Sequence, residues 1–170
     1  SFRARRGRLI LANHAHPTAA NTPLRVLIVE DHAVVRQALR MLLADARYGI
    51  DVIGEAGDGT KAIELALALA PDVILMDLIL PDIDGATATQ AILRQNRMAR
   101  VLVLTSDESE AAAISALRAG ALGFMRKHAS IDELVNTIHC VAADQMVIPR
   151  ELAGALALAP TPDDGGEQRA

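Results

Sequence analysis

The sequence is poor in aromatic residues and cysteine, and these shortages exclude several kinds of protein. Aromatic residues make up 2% of the 170 residues, so the chain lacks the platforms on which single-stranded nucleic acids stack. The single cysteine, Cys140, excludes an internal disulfide framework and a cysteine-rich zinc site. What remains is a largely aliphatic chain, 51% hydrophobic, with enough length for one ordinary domain plus tails.

The chain also lacks a surplus of basic residues and a long apolar run. Its net charge of -4 and isoelectric point near 5.7 argue against a surface that binds DNA directly. No apolar stretch approaches the roughly 20 residues that a membrane span requires. We therefore expect a soluble, cytoplasmic protein that does not associate with membranes.

The two ends of the chain differ in composition from its middle. Residues 1–23 crowd arginines at the start and contain no acidic residue, which is typical of a disordered or artificial extension. Residues 146–170 have the composition of a linker, with a short helix predicted from Pro149 to Leu158. Between them, residues 24–145 show a regular pattern that predicts one domain.

This middle region reads as strands and helices in strict alternation. The predicted strands are Arg25–Glu30, Asp51–Ala56, Asp72–Asp77, Val101–Thr105 and Ala121–Met125. Helices are predicted over residues 34–43 and 109–119, after the caps Asp58 and Asp84, and after a capping box of Ser130 with Glu133. Alternation at this spacing predicts an α/β fold, a doubly wound parallel sheet with helices on both faces.

The rest of the chain is organised around Val73–Gly85, which reads VILMDLILPDIDG. An apolar run of this kind predicts a strand buried on both faces, and Asp77 ends it. A carboxylate at that place is costly unless it is paired, metal-bound or held for use. Sheets of this type bind ligands at the carboxyl ends of their strands, so Asp77 marks the candidate site.

Other polar residues end the neighbouring predicted strands: Glu30, Asp31, Thr105 and Lys127. Carboxylate oxygens suit Mg²⁺, and a lysine and a hydroxyl suit phosphoryl oxygens. Taken singly, Asp31 could cap a helix, Thr105 could be an ordinary strand-end hydroxyl and Lys127 a solvated lysine. Together they favour a site at which Asp77 accepts a phosphoryl group.

With these residues placed, the sequence resembles the receiver domain of two-component response regulators, and in particular the NarL/FixJ branch. The matching segments are LIVEDH, VILMDLILPDIDG, VLVLTSDE and RAGALGFMRK, within residues 25 to about 144. The resemblance implies a flavodoxin-like, CheY-like sheet with strand order 2-1-3-4-5. It also implies a signalling phospho-acceptor that catalyses at most its own phosphorylation and dephosphorylation, and is otherwise not an enzyme.

The resemblance implies a role for each residue of the site. Asp77 would accept the phosphoryl group from a sensor histidine kinase, and Thr105 and Lys127 would contact its oxygens. Thr105 and Phe124 would form the switch that remodels the surface of helix four, strand five and helix five. The Mg²⁺ ligands would be Glu30, Asp31, Asp77 and the backbone carbonyl of Ile79.

Two positions are expected to set the lifetime of the phosphoryl group. Ile79 replaces a polar residue frequent two places after the acceptor, so its side chain cannot assist an attacking water. Asp107 lies two residues beyond Thr105 and could orient water. A further departure is Asp82, which stands where a glycine is usual in the turn. His32 and His128 flank the site and are expected to be solvated.

Several functions remain open for the chain as a whole. NarL/FixJ-like regulators carry a helix-turn-helix domain, so we expect DNA contact only through an output domain absent from this chain, with a homodimer on phosphorylation. A stand-alone receiver acting through protein contacts is the alternative. A nucleotide-binding enzyme is disfavoured, because the glycine-rich stretch at residues 54–59 lacks a P-loop lysine. A Mg²⁺-dependent aspartyl-phosphate phosphatase would usually carry an acid where Ile79 stands.

Overall fold

The computed structural model describes residues 22–107, 109–150 and 152, and within them strands alternate with helices. The strands are β1 (Leu24–Val29), β2 (Ile50–Ala56), β3 (Val73–Met76), β4 (Val101–Thr105) and β5 (Gly123–Arg126). The helices are α1 (Ala33–Leu43), α2 (Gly59–Leu69), α3 (Gly85–Gln95), α4 (Glu110–Arg118) and α5 (Ile131–Ala142), with a 3-10 turn at Ala46–Tyr48. Most of the predicted extension, and of the predicted helix from Pro149 to Leu158, lies outside the described residues.

The strands form one parallel sheet in the order β2-β1-β3-β4-β5. This confirms the predicted doubly wound, CheY-like fold. Chain order reverses between β1 and β3, and the crevice outside their carboxyl ends is where such sheets bind ligands. In the described part of the chain, no helix combines the length and apolar composition needed to cross a membrane.

β3 lies at the centre of the sheet and is buried on both faces. Ile74 and Met76 pack into the core that α2, α3 and α4 cover, whereas Val73 and Leu75 pack into the core beneath α1 and α5. All four are at most 1% exposed. Because burying one such side chain contributes about 1.5–3 kcal/mol, a shift of this strand in register would be costly. The burial therefore fixes the place where Asp77 leaves the sheet.

The predicted capping residues begin their helices as expected. Asp58 accepts a hydrogen bond from the backbone N–H of Lys61, and Asp84 accepts one from Thr87. Ser130 and Glu133 form the reciprocal capping box at the start of α5. These caps satisfy backbone donors that the first helical turn leaves unpaired.

The fifth strand begins two residues later than the pattern predicted, at Gly123. The backbone N–H of Ala121 donates to the carbonyl of Ala116 at 3.2 Å, so Ala121 belongs to the turn that closes α4. Its apolar side chain is buried there, which is why periodicity assigned it to the strand.

The chain after α5 packs onto the outer edge of β5. Val147 accepts a hydrogen bond from Phe124 N at 3.1 Å and donates one to the carbonyl of Leu122 at 2.9 Å. A side chain on Gly123 would meet the Leu102 methyl at 2.7 Å, so glycine permits this close packing. Leu152 is buried in the same core cluster as Phe124. The boundary at residue 145 remains a prediction, and the packing described extends to residue 152.

Candidate functional site

Four predicted side chains leave the sheet at one edge. Glu30 follows β1, Asp77 follows β3, Thr105 ends β4 and Lys127 follows β5. The backbone N–H of Asp77 donates to the last carbonyl of β1 at 3.0 Å, and that of Lys127 donates to the carbonyl of Thr105 at 2.9 Å. These backbone bonds bring the side chains to the same end of four strands.

Lys127 joins the two most buried acids of the site. Its Nζ lies 2.5 Å from Glu30 Oε2 and 2.6 Å from Asp77 Oδ2. Glu30 is 1% exposed and Asp77 3% exposed. Two carboxylates withdrawn from water in this way require a cation close by. Lys127 is therefore not a solvated loop lysine, because its ammonium is paired with both carboxylates.

The charge on Lys127 is stabilised by these contacts. Burial acts to lower the pKa of its ammonium group, but hydrogen bonds to Asp77 and Glu30 outweigh that effect and raise the pKa above its ordinary value. The stabilisation that follows is fully present below the ordinary lysine pKa and is lost as the pH rises through the raised one. Lys127 thus supplies a permanent positive charge at neutral pH.

Asp31 does not cap the helix that follows it. The N-cap of α1 is His32, and no side chain makes the capping hydrogen bond. Asp31 Oδ1 is buried and accepts no hydrogen bond of good geometry, although His32 Nδ1 lies 2.8 Å away. A buried carboxylate oxygen that accepts no hydrogen bond of good geometry is suited to bind a cation.

The residues at this edge fit a hard divalent cation. Ligand atoms of Glu30, Asp31 and His32 all lie within 4.8 Å of one another. Carboxylate oxygens are the ligands that Mg²⁺ prefers, and it needs only a few of them. Oδ1 of Asp31, which accepts no hydrogen bond of good geometry, is available to such an ion within this group.

His32 contacts the site, which sequence reasoning did not anticipate. Its side chain is 70% exposed, as expected of a solvated histidine, yet Nδ1 lies 3.1 Å from Glu30 Oε1. The backbone N–H of His32 also donates to that oxygen at 3.2 Å. Only its position directly after two acids could have signalled this contact.

Thr105 and Phe124 are both buried beside the site. Thr105 is 0% exposed, and its Oγ1 accepts a hydrogen bond from Asp107 N at 3.1 Å. Phe124 is 3% exposed and packs in the core cluster that contains Ala113 and Ala116 of α4. The ring of Phe124 is thus packed in the core beside α4.

Ile79 and Asp107 occupy loops at the same edge. Ile79 is 54% exposed, and its backbone N–H donates to Asp77 Oδ1 at 3.2 Å. Asp107 Oδ1 accepts from the backbone N–H of Ser109 at 2.8 Å, and this bond lowers the pKa of the Asp107 carboxyl. The Asp107 carboxylate is therefore hydrogen-bonded within the turn before α4. Ile79 is held through its backbone N–H, and its side chain is exposed.

Comparison with known proteins identifies the family. The model of the response regulator receiver domain matches residues 26–139, which is most of the described chain. This chain belongs to that family. The match contains every residue discussed at the site, from Glu30 to Lys127.

Relatives of this receiver are regulators of the NarL and LuxR types. It is 39% identical over 135 residues to the response regulator GacA of Pseudomonas aeruginosa, covering 79% of this chain and 63% of that protein. It is 37% identical over 131 residues to the transcriptional regulatory protein LiaR of Bacillus subtilis, covering 77% and 62%. The receiver thus spans less than two thirds of these curated relatives.

Solved structures agree with this assignment. A LuxR-family two-component response regulator from an Aurantimonas species superposes with a TM-score of 0.73 at 34% identity, covering 80% of this receiver and 96% of that chain. The receiver domain of the response regulator NarL from Mycobacterium tuberculosis gives 0.68 at 33% identity, covering 73% and 99%. The comparisons support a signalling receiver over the nucleotide-binding enzyme and the phosphatase.

Replacing Lys127 with methionine should destabilise the receiver by about 3–5 kcal/mol, because Glu30 and Asp77 would lose their shared cation. The measurement is urea unfolding at neutral pH without divalent ions. Adding Asp77→Asn to Lys127→Met should recover part of the loss, since one buried charge disappears. The control is Lys61→Met, whose surface pair with Glu64 should be worth less than about 1 kcal/mol. Equal effects of the two lysine substitutions would contradict the ion-pair argument.

Proposed function

We propose that this receiver accepts a phosphoryl group on Asp77 from the phosphohistidine of a sensor histidine kinase. The observation that carries the proposal is the ammonium of Lys127, held between the buried carboxylates of Glu30 and Asp77 at the carboxyl edge of the sheet. A carboxylate beside a fixed positive charge is suited to attack phosphorus.

The proposed transfer exchanges one bond to phosphorus for another. A carboxylate oxygen of Asp77 forms the new P–O bond while the P–N bond of the phosphohistidine breaks, and the released imidazole takes up a proton. Lys127 offsets the charge on the phosphoryl oxygens. The Thr105 hydroxyl accepts a hydrogen bond from Asp107 N, so its own proton is available to donate to one of those oxygens.

We further propose a Mg²⁺ ion held by Glu30, Asp31, Asp77 and the backbone carbonyl of Ile79. When bound, it would supply positive charge that offsets the charge of the transferring group. Oδ1 of Asp31, which is buried and accepts no hydrogen bond of good geometry, supports Asp31 as one of these ligands. Beyond its own phosphorylation and dephosphorylation, we propose no enzymatic reaction.

The proposed output passes through Thr105, Phe124 and the surface of α4, β5 and α5. A phosphoryl group adds acceptor oxygens to which Thr105 and Lys127 can donate hydrogen bonds. Thr105 ends β4, and Lys127 follows β5. Relatives include a transcriptional regulatory protein, which supports an output that controls transcription. We propose that this output uses a DNA-binding domain and a homodimer that forms on phosphorylation. A cytoplasmic location, where such a kinase acts, belongs to the same proposal.

The central experiment follows phosphorylation of Asp77 by mass spectrometry with a small phosphodonor and Mg²⁺. Wild type should gain one phosphoryl group, and Asp77→Asn should gain none. Omitting Mg²⁺ or adding a chelator should reduce the yield strongly, because the site relies on a divalent ion. Asp51→Asn, on the exposed side of β2, is the control and should behave as wild type. Equal modification of wild type and Asp77→Asn would exclude the assignment.

The outer face of α1 is a candidate surface for the kinase. Val34 is 80% exposed and Met41 71% exposed, and their spacing of seven residues places both on one side of the helix. α1 begins two residues after Asp31, so this face adjoins the site. Between α1 and α5 lies an apolar groove, lined in part by Val35 and Leu39, that reaches Lys127. A kinase seated here would present its phosphohistidine at Asp77.

Substituting Val34 or Met41 with glutamate should slow phosphotransfer from the kinase by roughly tenfold, because the charge disrupts an apolar contact. Phosphorylation by a small phosphodonor should be unchanged, since the site itself is intact. The matched control is Leu67→Glu on α2, an exposed leucine on the opposite face of the sheet. A parallel loss of both reactions, or an equal effect of Leu67→Glu, would remove α1 from kinase recognition.

Replacing Ile79 with asparagine should accelerate loss of the phosphoryl group by about fivefold, the rate equivalent of one added hydrogen bond. An amide there can orient an attacking water, whereas the isoleucine screens the phosphorus. The measurement is dephosphorylation without any phosphatase. Ile79→Leu keeps an apolar side chain at this position and should match wild type. Asp107→Ala tests separately whether the loop after β4 affects the rate of dephosphorylation. A slower or unchanged rate of dephosphorylation in Ile79→Asn would show that the Ile79 side chain does not shield the phosphorus from water.

A further inference from the structure

The β3–α3 loop is tied to α2 by one carboxylate, that of Asp82. Oδ1 of Asp82 accepts a hydrogen bond from Gly59 N at 2.7 Å, and Oδ2 accepts one from Thr60 N at 2.8 Å and one from Thr60 Oγ1 at 2.5 Å. The Thr60 hydroxyl and the backbone donors together hold the pKa of Asp82 far below its ordinary value. The carboxylate is therefore ionised, and keeps all its acceptors, throughout the neutral range.

These bonds are additional to the helix's own cap. α2 already has Asp58, which accepts from the backbone N–H of Lys61 at 2.7 Å. Asp82 satisfies further N-terminal donors from a loop that is 23 residues away in sequence. Both acids stabilise the start of α2, but only Asp82 reaches it from another segment of the chain. Its distinctive effect is to fix the loop.

The same loop makes a second contact with the start of α2. A Cβ on Gly59 would collide with the Ile83 side chain and lie 3.0 Å from the Ile83 carbonyl, so glycine lets the loop lie directly on the helix. Ile83 also packs against the core that α2 and α3 share. Asp82 and Ile83 together hold the outer part of the loop.

The inner part of the loop is held at the acceptor itself. Gly85 N donates to the carbonyl of Leu78 at 2.9 Å, and a Cβ on Gly85 would collide with the backbone of Asp77. Leu78 is buried and Leu80 packs against the same core, whereas Ile79 between them is 54% exposed. Ile79, whose carbonyl is a ligand in the proposed cation site, thus lies between the fixed base at Leu78 and the Asp82 anchor.

We propose that Asp82 is a positioning residue, which anchors the β3–α3 loop to the N-terminus of α2 and so holds the Ile79 carbonyl where the cation binds. The inference rests on the proposed function, because it assigns that carbonyl to Mg²⁺. The loop is also held by Gly85, by Ile83 and by the core packing of Leu78 and Leu80, but Asp82 is the carboxylate that ties it to α2. Asp82 therefore sets Mg²⁺ affinity without touching the ion.

The test compares Asp82→Ala with Asp58→Ala, which removes a cap from the same helix end but does not touch the loop. Mg²⁺ binding is titrated by amide chemical shifts. Asp82→Ala should weaken binding by roughly tenfold, as loss of an outer support of a metal ligand does. Asp58→Ala should change it less than about twofold, although both lower thermal stability. Equal stability losses with wild-type affinity in Asp82→Ala would reduce Asp82 to a helix cap and overturn the proposal.

A second variant and a metal-free readout keep the test decisive. Thr60→Val removes only the hydroxyl bond, so it should weaken Mg²⁺ binding less than Asp82→Ala and add little to it in the double variant. In metal-free protein, hydrogen exchange at the amides of Leu78 and Ile79 should accelerate in Asp82→Ala and not in Asp58→Ala. Unchanged exchange would overturn the anchor. Failure of wild type to bind Mg²⁺ would count against the proposed function instead, while the exchange result would still decide the anchor.

Discussion

The ammonium of Lys127, placed between two buried carboxylates, holds the functional edge of this receiver together. Glu30 and Asp77 leave neighbouring strands and would repel each other without it. Lys127 follows β5, which is separated from β3 by β4, so its side chain spans the end of β4 to reach Asp77. The ion pair therefore links the centre of the sheet to its far side, across the strand that ends in Thr105. A group bound at Asp77 competes with the two carboxylates for the Lys127 ammonium. This ammonium helps to position β5.

Much of this arrangement could be predicted because it depends on periodic features. Alternating apolar runs and helical spacing predicted the parallel sheet, and parallel strands place their carboxyl ends at one edge. The residues that end or follow the predicted strands include Asp77, Thr105 and Lys127. The strand pattern therefore marks them as candidates. The caps at Asp58 and Asp84 could also be predicted, since a cap depends on its own helix within a few residues.

The features that escaped prediction are contacts made by irregular segments. Asp82 read as a departure in a turn, since nothing local shows that its partners are Gly59 and Thr60. His32 reaches Glu30 only because the chain bends as α1 begins. The packing of Phe124 depends on small side chains of α4 such as Ala113, which the position of the ring in the sequence does not show. Each of these depends on loop conformation or packing, which hydrophobic periodicity does not encode.

The pairing of Val147 with β5 has a consequence for how the receiver can be isolated. By strand order β5 is an outer strand of the sheet, and outer strands with unpaired backbone groups recruit other chains. Val147 occupies the N–H of Phe124 and the carbonyl of Leu122, and Leu152 closes the core behind them. A chain cut at the end of α5 would expose a narrow strip of backbone beside Gly123 and an apolar opening next to it. The segment after α5 thus covers the outer edge of β5. A receiver that ended with α5 would lose this cover, and its β5 edge would be open to pairing with a second copy.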